Sequence, residues 1–355
     1  MLPRIEYLSW AIETFPRARW DLATSGLPSI AASELGAPDD LADPAALRSF
    51  AAAVAERYGV PVTEVFPALG TSGAAWLIAA SVLPGPEPAE VLIEQPTYEP
   101  LLRVLEGFGA RVRRVRRSPD DGWRLDPRTI AEALTDRTRL VVMASPHNPT
   151  GVVTPDEDIA EIAAACAARG AYLFVDEVYR ELATPRTTAR SLGPNVLVAS
   201  SLTKCFGVGW ARAGWALLPE GLRAAAHTAQ MHAAGVLPTM CGAIGAHAIG
   251  RIDALTARAE LLSAGKRAIV DAFLARHPQL SWTPPPPRAL FGFVRAEGID
   301  VAAGLARAAE EHGLIAVGGS FFDDPSGFRL SWASLPPHRL AEALDLLAGS
   351  LGLRA

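Results

Sequence analysis

Between residues 45 and 220, short continuous apolar runs alternate with stretches of helical periodicity. Apolar positions three and four apart predict helices over 47–57, 73–82, 98–107, 126–134 and 155–169. Unbroken apolar runs predict strands at 91–94, 140–144, 172–176 and 196–200, with an alternating strand at 111–115. Strands apolar on both faces and separated by helices imply a mostly parallel sheet covered on both sides. Such sheets take their ligands at the carboxyl ends of the strands. Farther on, the pattern predicts one long helix over 243–276, then the proline run 284–287. Apolar segments at 290–295, 314–317 and 328–333 follow, with helices at 301–312 and 337–351. The expected fold is α/β: a large domain with a helix-covered, mostly parallel sheet, plus a smaller C-terminal α+β domain. Residues 1–44 would form an N-terminal arm that contributes to the small domain. Residues 45–245 would form the large, ligand-binding domain, and 246–355 the interdomain helix and the small domain.

Composition narrows the function classes. Of 355 residues, 50% are apolar and 20% charged, the profile of a globular chain. A net charge of −5 leaves no nucleic-acid footprint. The one basic cluster, Arg111, Arg113, Arg114, Arg116 and Arg117, alternates with Val112 and Val115 as the wet side of a strand and its exit would. Cys166, Cys205 and Cys241 are widely spaced and offer neither a disulfide framework nor metal-ligand spacing, so a cytoplasmic location and no metal are expected. The gentle stretch 224–250 is interrupted by His227, Gln230, His232, Gly235 and Pro238, and no membrane span is expected. Lysine occurs only at Lys204 and Lys266, and asparagine only at Asn148 and Asn195. Where arginine fills the cation role elsewhere, the surviving lysines and asparagines become candidates for chemistry, although Lys266, in Ala264-Gly-Lys-Arg267 on the predicted long helix, is expected to be a solvated cation.

Three motifs each close a predicted buried strand. Ser145-Pro-His-Asn-Pro-Thr-Gly151 is a stiff turn that holds Asn148 in one pose. Val175-Asp176-Glu177-Val178-Tyr179 places Asp176 where a strand leaves the core, and an acid there needs a partner; a helix cap is the alternative. Ser200-Ser201-Leu202-Thr203-Lys204 sets a lysine among apolar neighbours, where burial lowers its pKa and makes it nucleophilic. Arg212 and the nearby hydroxyls add anion-binding capacity, and Gly70-Thr-Ser-Gly-Ala-Ala75 opens a helix with free N–H groups. Asn148, Asp176 and Lys204 lie 28 and 28 residues apart. Together they describe a pocket for a ligand with an aldehyde, a ring cation and a phosphate.

These motifs, with Gly-Trp-Ala-Arg212-Ala-Gly-Trp and Phe328-Arg-Leu-Ser-Trp-Ala333, make the chain resemble fold-type I pyridoxal-phosphate enzymes of the class I/II aminotransferase family, from about residue 20 to the end. The resemblance implies pyridoxal 5′-phosphate as cofactor, covalently attached to Lys204, which would also move the substrate proton. Asp176 would pair with the pyridinium nitrogen. Asn148 and Tyr179 would hydrogen-bond the ring hydroxyl, and Tyr98 would stack on the ring. Ser201 and Arg212 would hold the phosphate with backbone from Gly73, Ala74 and Ala75. Arg329 would receive the substrate α-carboxylate, with Asn148 and Gly26 beside it.

Departures from the family pattern are Ala75 and Trp76 early in the phosphate helix, and no tyrosine between Tyr7 and Tyr58. The family implies a homodimer with active sites at the subunit interface. Its dicarboxylate-specific members use a second arginine, yet none stands between Arg223 and Arg251. The expected activity is therefore transamination between an amino acid, not a dicarboxylic one, and a 2-oxo acid. Trp10, Trp20, Trp210, Phe321 and Phe322 are candidate pocket walls, and His232 is read as a helix-face residue. The alternative is a pyridoxal-phosphate lyase, decarboxylase, cyclase or oxidase acting on an amino acid. A non-catalytic effector module is a third reading, disfavoured by retention of Lys204, Asp176, Asn148 and Arg329.

Overall fold

The computed structural model describes residues 2–353. Seven strands form the central sheet: β1 (Val65–Leu69), β2 (Glu90–Gln95), β3 (Arg111–Arg116), β4 (Thr138–Ala144), β5 (Tyr172–Asp176), β6 (Val196–Ser201) and β7 (Ala213–Leu217). Across the sheet they run β1-β7-β6-β5-β4-β2-β3. All are parallel except β7, which pairs antiparallel with both β6 and β1.

The unbroken apolar runs have a direct cause. Successive side chains of a strand point to opposite faces, and both faces are covered. Leu92, Val141, Leu173, Val175 and Val198 enter one core layer, while Val91, Ile93, Val142, Phe174 and Leu197 enter the other. Covering helices begin where local chemistry allows. Asp126 caps Pro127–Ala133 through Arg128 N, and Asp156, Glu157 and Asp158 complement the dipole at the start of Asp156–Ala167.

The smaller unit is an antiparallel sheet in the order Val317–Gly318, Gly327–Ser331, Phe291–Ala296, Leu280–Ser281, backed by helices Lys266–Arg276, Val301–His312 and Pro337–Leu351. The strand Trp20–Asp21 pairs in parallel with Leu314–Ile315, and Trp20 and Leu22 enter the core of this unit. Among the described residues, no helix is long and apolar enough to cross a membrane.

The structure corrects several expectations. The long helix predicted over 243–276 is three helices, Thr239–Gly250, Ile252–Ser263 and Lys266–Arg276. The break at Arg251 (φ −112°) and the left-handed Gly265 (φ 72°) end the helical path, which apolar periodicity alone does not register. Strands β1 and β7 went unpredicted, because Pro67 and two tryptophan-flanked glycines disguise them. The run 314–317 splits into two short strands that pair with different partners. Lys266 is no solvated cation: it is 4% exposed, and its Nζ donates to Ala333 O (2.8 Å). The basic cluster ends in a buried residue too, since Arg117 pairs with Glu94 inside the protein. Trp20 is a core residue under Arg339, not a pocket wall.

Candidate active site

β4, β5 and β6 are neighbours in the sheet, and their carboxyl ends carry the turn with Asn148, the carboxylate of Asp176 and the segment leading to Lys204. Adjacent strands lie about 5 Å apart, so residues 28 positions apart in sequence meet across one strand spacing, and the three span roughly two. All three line one cavity of about 500 Å³. Tyr98, Tyr179, Ser201 and Arg212 share its wall, as do Thr71, Ser72, Ser25 and Thr203.

Lys204 stands in the one-turn helix Thr203–Phe206 that follows β6. Gly26 packs directly on it: a Cβ there would sit 3.2 Å from Lys204 Cα and Cδ. Leu27 N donates to Lys204 O (2.9 Å), and Ile30 N to Gly207 O (3.1 Å), so the N-terminal segment straps the lysine turn in place. Burial lowers the pKa of the Lys204 amine, and the nearby Arg329 and Arg212 charges lower it further; Tyr7 and Asp176 act in the opposite direction. Burial also pushes Asp176 up to about 7; Val178 N and Lys204 pull it down, and Glu94 adds to the rise. The Asp176 carboxylate accepts a hydrogen bond from Val178 N (3.0 Å).

The far end of the cavity is a cradle of hydroxyls and one guanidinium. Helix Gly70–Val82 starts three residues earlier than its periodicity predicts, so Thr71 and Ser72 occupy its first turn. Thr71 Oγ1 donates to Ser201 Oγ (2.9 Å), and Thr203 N also reaches Ser201 Oγ (3.3 Å). Gly73 and Ala74 are placed differently from the sequence expectation: neither lines the cavity, and Ala74 is fully buried in the core. Ala75 does line it. Thr71 and Ser72 thus bring hydroxyls to the wall one turn before Ala75.

Arg212 holds a left-handed backbone (φ 52°), from which its carbonyl accepts Gly70 N (2.8 Å) and its Nη2 donates to Leu69 O (3.1 Å). Gly70 and Gly214 make this closeness possible: a Cβ on Gly214 would stand 2.6 Å from the Gly70 backbone.

Beneath the site lies a buried network that the sequence reading missed. Glu94 pairs with Arg117 (2.6 Å) and accepts Ala144 N (2.7 Å) at the end of β4. His147, beside Asn148, joins Thr150 Oγ1 (2.7 Å) and Pro96 O (2.9 Å). Burial and then the Arg117 charge drive its pKa well below the usual histidine range, which keeps the ring neutral. Spacing gave no clue, because Glu94 and Arg117 end neighbouring strands 23 residues apart.

Arg329 is 0% exposed. Its Nη1 donates to Asn148 Oδ1 (2.9 Å), and its Nη2 donates to Ala23 O (2.8 Å) and Tyr7 Oη (3.1 Å). Its Nε has no partner, and among the described residues no carboxylate lies within ion-pair distance. Rings of Tyr7, Phe291 and Phe322 surround the guanidinium at 5.6, 5.5 and 5.3 Å. A buried cation without a counter-ion is costly, and here it marks a place prepared for an anion. Tyr179 donates its hydroxyl to Ser25 Oγ (2.7 Å) and packs on Phe291.

Of the candidate walls, Trp10 and Phe321 pack on each other beside Tyr7. Trp210 donates to Ile30 O (2.9 Å). Trp76 faces Phe108 at the apolar rim of the cavity, and His232 is exposed on its helix. Among the described residues, no cluster of three or more histidine, cysteine or acidic side chains is placed to hold a metal ion.

Comparison with known proteins follows the same lines. The family model described as aminotransferase class I and II matches residues 37–347. The chain is 36% identical over 197 residues to a probable N-succinyldiaminopimelate aminotransferase of Mycobacterium tuberculosis, covering 52% of this chain and 49% of that protein. It thus spans about half the length of that relative. Similarity to capreomycidine synthase of Streptomyces vinaceus is lower, 27%, but covers 100% of this chain and 95% of that one. In structure, the chain superimposes on a PLP-dependent aminotransferase from Streptococcus suis with a TM-score of 0.89 at 21% identity, covering 99% and 98% of the two chains. At that identity the likeness speaks for the fold.

Proposed function

The chain belongs to the class I and II aminotransferase family, and from that premise we propose that it transfers an amino group from a non-dicarboxylic amino acid to a 2-oxo acid. Pyridoxal 5′-phosphate is the family's cofactor, and the residues present fit it. The carrying observation is the setting of Lys204, a partly buried amine of lowered pKa in one cavity with the Asp176 carboxylate and a hydroxyl-lined cradle. When bound, the cofactor supplies an electron sink for charge developing at the substrate Cα.

The side chains divide the remaining work. Lys204 Nζ would hold the cofactor at its aldehyde carbon, and the same amine would hold the proton taken from the substrate Cα. Asp176 holds the proton on the ring nitrogen, and this ion pair relieves the cost of its own burial. Thr71, Ser72, Ser201, Thr203 and Arg212 hold the phosphate, with free N–H groups of the helix start. Tyr98 covers the ring, and Asn148 with Tyr179 orients its hydroxyl. Arg329 takes the substrate α-carboxylate, the anion its burial calls for.

Substrate choice follows from what the cavity lacks. No residue of helix Arg223–Ala234 lines the cavity, so its Arg223 does not meet a second carboxylate there, and its Gln230 is engaged with Pro67 O (2.8 Å). Arg103 lines the rim, but Glu99 and Glu106 already pair with it. Among the described residues Asp176 is the only carboxylate in the wall, so a cationic side chain finds no free partner there either. Trp76, Leu101, Val104 and Phe108 make the rim apolar, which favours a neutral, apolar substrate side chain. Homodimerisation is part of this reading, and it is supported by large apolar side chains left exposed: Met231 is 71% and Val236 81% exposed. So is a reducing, cytoplasmic location, since all three cysteines are free.

A second reading, ring closure or elimination on the same cofactor, is supported by the full-length likeness to capreomycidine synthase. One experiment separates the two. The cofactor-loaded protein is incubated with each amino acid and a panel of 2-oxo acids. Stoichiometric amino transfer supports the first reading; release of ammonia, or a cyclic product without transfer, supports the second and overturns the first.

A further inference from the structure

Tyr7 reaches the site from the helix Glu6–Thr14, distant in sequence from every motif above. It is 4% exposed, and its ring is wedged against Trp10, Tyr98, Phe321 and Phe322. The helix start is fixed by the Glu99 carboxylate, which accepts Tyr7 N (2.6 Å) and Glu6 N (3.2 Å). The phenol oxygen of Tyr7 meets Arg329 Nη2 at 3.1 Å.

The geometry of a guanidinium gives this contact its meaning. A carboxylate can bind with two parallel hydrogen bonds at only two edges, Nε with Nη2 or Nη1 with Nη2. Both edges need a hydrogen of Nη2. In this structure both Nη2 hydrogens are engaged, one by Ala23 O (2.8 Å) and one by Tyr7 Oη. Nε meanwhile is buried without a partner.

A bidentate carboxylate must therefore displace Ala23 O or the phenol. Ala23 is pinned: Leu22 N donates to Ile315 O, Ser331 N donates to Leu22 O, and Ala23 N is held by Asp21 Oδ1. The phenol is a side-chain group at the start of a nine-residue helix, and it is the one that can yield.

We propose that Tyr7 is a placeholder for the substrate carboxylate and thereby a determinant of carboxylate affinity. Its hydroxyl satisfies Arg329 in the substrate-free enzyme and is displaced when a carboxylate binds. This rests on the assignment of Arg329 as the carboxylate receiver. The phenol keeps the buried guanidinium ordered without a permanent counter-ion, and every carboxylate ligand binds against it.

The test uses the cofactor-loaded enzyme and 3-phenylpropionate, a carboxylate that lacks the reacting amino group, with 3-phenylpropanamide as its neutral counterpart. Tyr7→Phe removes one hydroxyl and keeps the ring. A net hydrogen bond is worth a factor of roughly five in binding, so the Kd for 3-phenylpropionate is expected to fall about fivefold, with the amide unaffected. Tyr7→Met, a second hydroxyl-free variant, is expected to move the same way. Unchanged or weaker carboxylate binding in both variants would overturn the proposal. An Arg329→Lys arm distinguishes the two assignments. If it binds 3-phenylpropionate as tightly as the wild type, the reading of Arg329 fails; if it loses binding while the Tyr7 variants stay at wild-type affinity, only the placeholder fails.

Discussion

Replacing Asp176 with asparagine is expected to stabilise the cofactor-free protein and weaken the cofactor-loaded one. The carboxylate ends β5 in the interior, with one hydrogen bond from Val178 N and, among the described residues, no arginine or lysine within ion-pair distance. Burial raises its pKa from 3.8 to about 7. Without cofactor, the folded protein prefers the protonated acid. Below the unfolded pKa both states are neutral and folding bears no penalty. As pH rises through that value the unfolded chain ionises first, and the penalty grows until the folded pKa is passed. At 1.36 kcal/mol per unit, it amounts to about 2 kcal/mol at pH 5 and on the order of 4 kcal/mol at pH 8.

Asparagine can still accept from Val178 N and never ionises, so the variant escapes this penalty. Glu177 is also pushed up to about 7 by burial, but its contribution is common to both proteins and cancels in the difference. Urea unfolding of the cofactor-free proteins at pH 5 and pH 8 measures the effect. The variant should be the more stable one, by a margin that widens at pH 8. With cofactor bound the order should reverse, because the ionised Asp176 then pairs with the ring cation and the amide cannot. A cofactor-free variant less stable than wild type at pH 8, or a margin independent of pH, would refute the reasoning.

Three further outcomes are expected. Arg329→Lys replaces a planar fork with a point charge, so kcat/KM for amino acids should fall about a hundredfold or more while the cofactor absorbance is kept. Glu94→Gln leaves the buried Arg117 without its counter-charge (2.6 Å in the native pair). Breaking such a pair costs about 3–5 kcal/mol, which a thermal melt should show as a clear loss of Tm. Gly214→Ala puts a methyl 2.6 Å from the Gly70 backbone, at the start of helix Gly70–Val82, where the cofactor phosphate is proposed to bind. Equilibrium dialysis should show cofactor affinity at least tenfold weaker, with the isolated amine chemistry of Lys204 untouched.

The three side chains that meet in the cavity were legible in the sequence, because stiff motifs at strand ends leave them few alternatives. Asn148 sits between two prolines, Asp176 follows three apolar residues, and Lys204 is one of only two lysines. Less legible was anything set by a partner distant in sequence. Lys266 looks like a surface cation on a helix, and only the approach of Ala333 O makes its burial tolerable. The helix Gly70–Val82 was started three residues late because its register depends on β1, whose Pro67 conceals a strand held by pairing with β7. The predicted long helix failed at Gly265, where apolar periodicity continues past a left-handed residue.

The division follows from the range of the forces involved. Periodicity, turn residues and composition act within a few positions, so the chain by itself determined the α/β class, the alternation of elements and the chemistry carried at three strand ends. Strand order, the pairing of Glu94 with Arg117, and the meeting of Tyr7, Ala23 and Asn148 around Arg329 join segments up to 322 residues apart. Tertiary structure alone decided these, because a buried charge is satisfied by whichever group the packing brings within 3 Å, and nothing local to Arg329 specifies which groups those are.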